Sequence, residues 1–228
     1  MTALDNYLVE HYLDEAQLAS AAGVAVGEID AMIGNRLVPA PSYVVDANGT
    51  VTSFVFGLMK APGARPGRYF HPAQRTWIAK ARDHHTEAHM KAHFTANYAA
   101  ALATLNDSTW HLADSFDKQG APIEVGLHAR LDTAWTYFLN GTFALCVANP
   151  VSEAHIAYKE VLQEKLMILS ENGKKLTYAP DQFLAMQELI AAYAAAAMPF
   201  SPVEYALSSR KRLVEDLRAN MRVTEAVS

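Results

Sequence analysis

From Ala73 to Gln119 the sequence contains neither proline nor glycine, so nothing in that stretch breaks a helix through its backbone alone. Within it, Trp77, Ala81, Ala88, Ala92, Ala99 and Leu102 fall on a narrow arc at the helical repeat, which predicts a single long helix from Pro72 to Asn106. At about 1.5 Å per residue such a helix would span roughly 50 Å, so any fold must share it between the segments on either side. Its middle carries His84, His85, His89 and His93, four of the nine histidines in the chain.

The preceding residues have a different character. Leu4, Leu8 and Tyr12 have the spacing of a short amphipathic helix. Asp14 is placed to cap a second helix through Leu18 and Ala21, Gly23 to end it, and Ile29, Met32 and Ile33 mark a third before Pro39, giving a helix-turn-helix spacing. Asn48-Gly49 then lies between two β-rich runs within residues 42–56, the pattern of a two-stranded hairpin or wing. A Pro- and Gly-rich loop, Ala61 to Gly67, leads into the long helix.

Beyond Asn106 the periodicity is helical. The expected elements are a short helix from Ser108 to Phe116, a break at Gly120 to Pro122, and a helix from about Gly126 to Asn140 ended by Gly141. The apolar run Thr142 to Ala148 fits either a buried strand or a helix. Ser152 caps a helix through Ile156, Val161 and Leu166 that closes at Asn172-Gly173, and a further helix covers Asp181 to Ala197. Ser201, Pro202 and Glu204 read as a capping box opening the last helix. The fold class that follows is mainly α: a winged helix-turn-helix-like module with a small hairpin over residues 1–71, then an all-helical domain over 72–228, linked by the long helix 72–106.

With 51% hydrophobic and 19% charged residues, the chain has the makeup of a folded globular protein. Cys146 is the one cysteine, which excludes an internal disulfide framework. The first ten residues lack a basic start and apolar core, and no apolar run reaches the roughly 18 residues of a spanning helix. The expectation is a soluble cytoplasmic protein without a membrane partner. The formal charge of -5 argues against general nucleic-acid coating, yet it is unevenly spread. Residues 1–60 hold seven acids against Arg36 and Lys60, whereas residues 61–82 hold Arg65, Arg68, Arg75, Lys80 and Arg82 with no acid.

Several side chains could carry chemistry. His85, His89 and His93 recur every fourth residue and so line one side of a straight helix. A rise of about 12 Å from His85 to His93 prevents all three from meeting one ion, but an adjacent pair could chelate a divalent metal with help from Asp83, Glu87, His111 or His128. That metal is the one cofactor the pattern suggests, and interfacial or half-exposed histidines are the simpler reading. Cys146 sits in an apolar run, where a lone cysteine is more often a small buried hydrophobe than a nucleophile. Lys159, with Tyr158 beside it and His155 one turn earlier, could serve an anionic ligand or, if desolvated, act as a base. Trp110, Trp135, Tyr137 and Phe138 fall at helical spacing and suit either a core or the wall of a small-molecule pocket. No phosphate-binding loop, dinucleotide fingerprint or nucleophile elbow occurs.

Two resemblances bear on function. Residues 16–30, then Leu37-Val38-Pro39, the hairpin, and Gly67-Arg68-Tyr69-Phe70 resemble the winged helix-turn-helix of MerR-type regulators. That resemblance implies DNA binding, with the long helix as the seam of a homodimer, and the acid-free stretch supplies Arg65, Arg68, Arg75 and Arg82 as candidate contacts to the DNA backbone. The departure is in the third helix, the second of the helix-turn-helix, which carries Glu28 and Asp30 where phosphates would lie. A second pattern covers more of the chain: Pro39 to Tyr43, Arg68 to Phe70 with Trp77, Trp135, Phe138 to Val147, Pro150, and Ile156 to Lys159. It is similar to a bacterial family of unknown function numbered 6058, whose members are labelled natural-product biosynthesis proteins. This implies a secondary-metabolite pathway and assigns no catalytic residue. The favoured reading is a protein that binds or acts on a small-molecule or carrier-bound substrate in the helical domain, with Trp135, Phe138, Cys146, His155 and Lys159 as the pocket. The alternative is a ligand-responsive DNA-binding regulator.

Overall fold

The computed structural model describes residues 1–107 and 109–224. Helix α1 (Ala3–His11) opens with a reciprocal cap, Thr2 Oγ1 accepting from the Asp5 amide and the Asp5 carboxylate from the Thr2 amide. Strand β1 (Leu13–Asp14) ends at Asp14, which caps α2 (Glu15–Ala22) together with Gln17. Gly23 ends α2 in the left-handed conformation, and α3 (Val26–Gly34) leaves at 94° to it. The capping residues expected for this pair therefore hold.

The hairpin also forms at Asn48-Gly49, with β2 (Tyr43–Val45) facing β3 (Thr50–Ser53) and Val45 opposite Val51. It is part of a larger sheet. Residues 54–56, expected as strand, are a turn, because Ser53 Oγ accepts the Phe56 amide and Gly57 takes a positive φ. The chain then returns as β4 (Gly57–Lys60), and β5 (Gly67–Phe70) adds on the other side of β2. The sheet is antiparallel in the order β1-β5-β2-β3-β4.

The long helix is two helices, α4 (Gln74–His84) and α5 (Glu87–Leu105). His85 has a φ of 29°, and Thr86 starts the second segment by accepting the His89 amide on its hydroxyl. A capping threonine preceded by a residue able to leave the helical region has broken a continuous apolar arc. After α5 the expected helix at 109–116 is replaced by turns, since the Asp107 carboxylate collects the amides of Thr109 and Trp110. Its expected first residue, Ser108, lies outside the described residues.

Helix α6 (Glu124–Leu139) ends at Gly141, whose φ is 82°, and the ambiguous run becomes the short α7 (Thr142–Cys146). Ser152 caps α8 (Glu153–Leu169), and α9 (Pro180–Ala196) follows the two-residue strand β6 (Thr177–Tyr178). Ser201 and Glu204 do not open a helix. They stand in turns before a 3-10 turn, Tyr205–Leu207, and a π-helical turn, Lys211–Asp216, that runs into α10 (Leu217–Asn220). Strand β7 (Arg222–Val223) pairs parallel to β6.

The fold is mainly α, with the five-stranded antiparallel sheet and the two-stranded β6-β7 pair. Its apolar clusters cross from the first part to the second. Leu18, Ile29, Val38 and Phe70 pack with Trp77, Phe94, Trp135 and Phe138, while Leu4, Tyr7, Tyr12 and Tyr43 pack with Cys146, Met198 and Phe200. A third cluster joins α8, α9 and the C-terminal turns through Leu166, Tyr193, Leu213 and Leu217. No single helix among the described residues is long and apolar enough to cross a membrane.

Candidate ligand-binding cleft

Helix α8 lines two adjoining surface chambers. The first, of about 500 Å³, lies between α7, α8, the turn 54–56 and the C-terminal turns. Lys159 forms part of its wall although its side chain is 3% exposed. Its ammonium donates to Glu160 Oε1 at 2.8 Å and to Gln163 Oε1 at 2.6 Å and sits 5.9 Å from the centre of the Tyr193 ring. Burial acts to lower its pKa. Glu160, Cys146 and Tyr193 outweigh that effect and hold its pKa above the ordinary lysine value, so it stays a cation.

Gln163 Oε1 also accepts from the Tyr193 hydroxyl at 3.2 Å, and that hydroxyl meets Ser209 Oγ at 2.7 Å. This network joins α8, α9 and the segment before the π-helical turn, and it fixes the Lys159 head group in one place. Arg212 also lines this chamber. Its Nε is buried without a hydrogen-bond partner, and among the described residues no carboxylate pairs with its guanidinium.

Cys146 lines the same chamber from α7. Burial pushes its thiol up to about 11, with Lys159 pulling in the opposite direction and Glu160 and Glu204 adding to the rise. The group is therefore a thiol at neutral pH, not a nucleophilic thiolate.

The second chamber, of about 610 Å³, continues along α6 and α8 and shares Tyr137, Glu160 and Gln163 with the first. Its walls are largely apolar, from Tyr98, Ala134, Phe143, Met167 and Ile168. At its far end Arg130 is held by Asp114 at 2.8 Å and by Glu164 at 2.9 Å. Gly126 belongs to this wall because α6 approaches the chain so closely that a Cβ there would stand 1.7 Å from the Asp114 carbonyl oxygen.

Of the residues singled out from the sequence, Lys159 and Cys146 come together here. Trp135 and Phe138 do not. They are buried in the aromatic cluster with Trp77 and Phe94, their rings 5.3 Å apart. His155 faces a separate shallow depression with Asn149, Tyr158 and Ala192, its Nδ1 2.7 Å from Ser152 Oγ. Gln163, Ser209, Arg212 and the Phe54 to Phe56 turn went unrecognised in the sequence. Gln163 alone had a local signal, four residues after Lys159 on the same helix face. The others reach the cleft from distant segments.

The histidine row is broken by the bend at His85. His84 now packs against His93 with ring centres 4.3 Å apart and planes tilted by 35°, and His93 Nε2 lies 3.6 Å from the buried Glu153, whose other oxygen takes Lys80 at 2.9 Å. Burial lowers the pKa of His93, with Glu153 opposing and the neighbouring His84 and Lys80 adding to the drop. Among the described residues, no three His, Cys, Asp or Glu side chains are grouped to hold a metal ion. The arginines of the DNA-binding reading are mostly engaged within the chain. Arg68 bonds Glu15 at 2.6 Å and Asp30 at 2.5 Å, Arg65 reaches Asp14 at 3.4 Å, and Arg82 donates to the Gly23 carbonyl at 3.0 Å. Arg75 is exposed.

A family model matches residues 90–222, more than half of the chain. The matched span holds every residue of the cleft except those of the turn 54–56. No curated protein and no solved structure matches the chain.

Proposed function

Since the chain belongs to DUF6058, a family described as of unknown function, we propose its function from the geometry: it binds a small molecule or carrier-bound intermediate through an anionic group in the α7–α8 chamber. The observation that carries this reading is a pair of cations, Lys159 and Arg212, on the walls of an open chamber where the one acid, Glu160, is already paired with Lys159. Among the described residues no carboxylate neutralises the Arg212 guanidinium, so an anionic ligand would supply the missing counter-charge. The protonation states of Cys146 and Lys159 favour holding over covalent chemistry, because neither is a ready nucleophile. The resemblance to natural-product proteins supports a secondary-metabolite setting in the cytoplasm, and the phosphate of a carrier's pantetheine arm has the charge the chamber suits.

The test is thermal unfolding of the full chain with phosphopantetheine or butyrate added at millimolar concentration. Either should raise the midpoint of the wild type and leave Arg212→Gln unmoved. No shift with any organic anion removes the proposal.

The regulator reading draws support from the 94° turn between α2 and α3 followed by a hairpin. Against it, Arg68 is neutralised by Glu15 and Asp30, one from each of those helices. Specific binding to DNA from the protein's own gene neighbourhood, steeply weakened by salt and by Arg75→Gln, would reverse this preference.

A further inference from the structure

The two chambers differ in charge as well as in polarity. In the first, Lys159 and Arg212 stand against Glu160, an excess of one positive charge. At the far end of the second, Arg130 stands against Asp114 and Glu164, an excess of one negative charge, and Arg130 is saturated by bonds to both. Between the two ends lies the apolar floor of Tyr98, Ala134, Phe143, Met167 and Ile168, with Tyr137 at the junction. An anionic group at the far end would be repelled, and one at the Arg212 end attracted.

We propose that the two chambers together bind an unbranched acyl chain, its carboxylate head at Lys159 and Arg212 and its hydrocarbon tail along α6 and α8 toward Arg130. This rests on the anion-binding reading above and adds the tail. Lys159 and Ile168 mark the two ends on α8, and at 1.5 Å per residue the intervening rise is about 13 Å, the reach of a medium-length chain. The apolar floor desolvates such a chain, and the carboxylates around it, Glu160, Glu164 and Asp114, are each already engaged by a base. Thr133 is exposed on the α6 wall of the second chamber, so it can be enlarged without entering the core.

The experiment is calorimetric titration of the full chain with decanoate, butyrate, decanol and decyltrimethylammonium, using the wild type, Arg212→Gln and Thr133→Trp. Circular dichroism and thermal midpoints establish that both variants remain folded. Decanoate should bind at least tenfold more tightly than butyrate and than decyltrimethylammonium. Thr133→Trp should remove that advantage over butyrate while leaving butyrate binding in place, and Arg212→Gln should weaken decanoate and butyrate alike by tenfold or more. If butyrate and decanoate bind equally, the acyl-chain proposal falls while the anion-binding reading stands. Equal binding of decanoate, decanol and the cationic amphiphile would overturn the assignment of the head group and the anion-binding reading with it. Binding of decanoate untouched by Thr133→Trp would place the tail elsewhere and overturn the proposal. Failure of every anion to bind removes both.

Discussion

The Tyr43 hydroxyl donates to Glu204 Oε2 at 2.7 Å across a separation of 161 residues. The same carboxylate accepts from Ser201 Oγ at 2.8 Å and, on its other oxygen, from Ser53 Oγ at 2.9 Å. Glu204 is wholly buried and thereby ties β2 and β3 to the segment that carries the cleft residues Leu207, Ser209 and Arg212. Burial raises its pKa, and the three hydroxyl donors oppose that rise. Glu204→Ala would strand three buried hydroxyl groups and should cost about 2–4 kcal/mol in urea unfolding, at roughly 1–3 kcal/mol for each unsatisfied group and partial relaxation. Glu204→Gln keeps one acceptor oxygen and obliges the hydroxyl facing the new amide nitrogen to turn and accept, so it should cost less than Glu204→Ala, roughly 1 kcal/mol. Equal losses in the two variants would show that the hydrogen bonds are not the source.

What could be read in advance, and what could not, divides along the range of the interaction. Asp14 with Gln17, Gly23, Asn48-Gly49, Gly141 and Ser152 act on their own neighbours within four residues, and each does in the structure what its local chemistry dictates. Ser201 and Glu204 also have the local spacing of a capping box, but Tyr43 and Ser53 compete for the carboxylate and win. Thr86 and Asp107 were legible as capping residues in principle, but each lay within or beside an apolar arc that outweighed it in a periodicity reading. In the cleft, Lys159 and Cys146 stood out because charge or sulfur in an apolar run is locally unusual. Arg212 could not, because its significance depends on a missing carboxylate partner, and that is a property of the folded chain.

Gly49 tests the hairpin. Its φ is 71°, and an added Cβ would stand 2.6 Å from the Ala61 carbonyl oxygen. The left-handed conformation costs a residue with a Cβ about 1–2 kcal/mol, and a β-branched residue adds the clash with Ala61. Gly49→Val should therefore lower stability by more than about 2 kcal/mol. Equal stability of the variant and wild type in guanidinium would contradict the turn as described.

His71 predicts an acid limb. It is 7% exposed, its Nδ1 accepts the Ala73 amide at 3.0 Å, and its Nε2 therefore carries the proton that faces the Ala148 carbonyl at 3.3 Å. Burial lowers its pKa from 6.5 to about 4, with the Ala148 contact opposing and His11 assisting. Because the folded pKa is depressed, the stabilisation is complete above about pH 6.5 and is lost as pH falls toward 4. Its full size is about 3.5 kcal/mol, from about 1.4 kcal/mol per unit. His71→Asn, which keeps an acceptor for the Ala73 amide, should be less stable at pH 8 and lose less between pH 6.5 and 4.5. Parallel profiles for the two proteins would exclude His71 as the source.

Cys146 and Lys159 are coupled, and thiol chemistry can read that coupling. With the thiol raised from 9.0 to about 11, chiefly by burial, the thiolate fraction at pH 8 is about 100-fold below that of an ordinary cysteine, before any steric protection. Modification by an aromatic disulfide at pH 8 should thus be at least 100-fold slower in the native protein than in urea. Lys159 lowers the Cys146 pKa, so Lys159→Met should slow the native reaction further. If that variant merely loosened the fold, access would increase and the rate would rise. A slower reaction in a folded Lys159→Met protein identifies the lysine's charge as felt at the sulfur. A faster one, with unchanged circular dichroism, would mean that Lys159 acts on this chamber through packing alone.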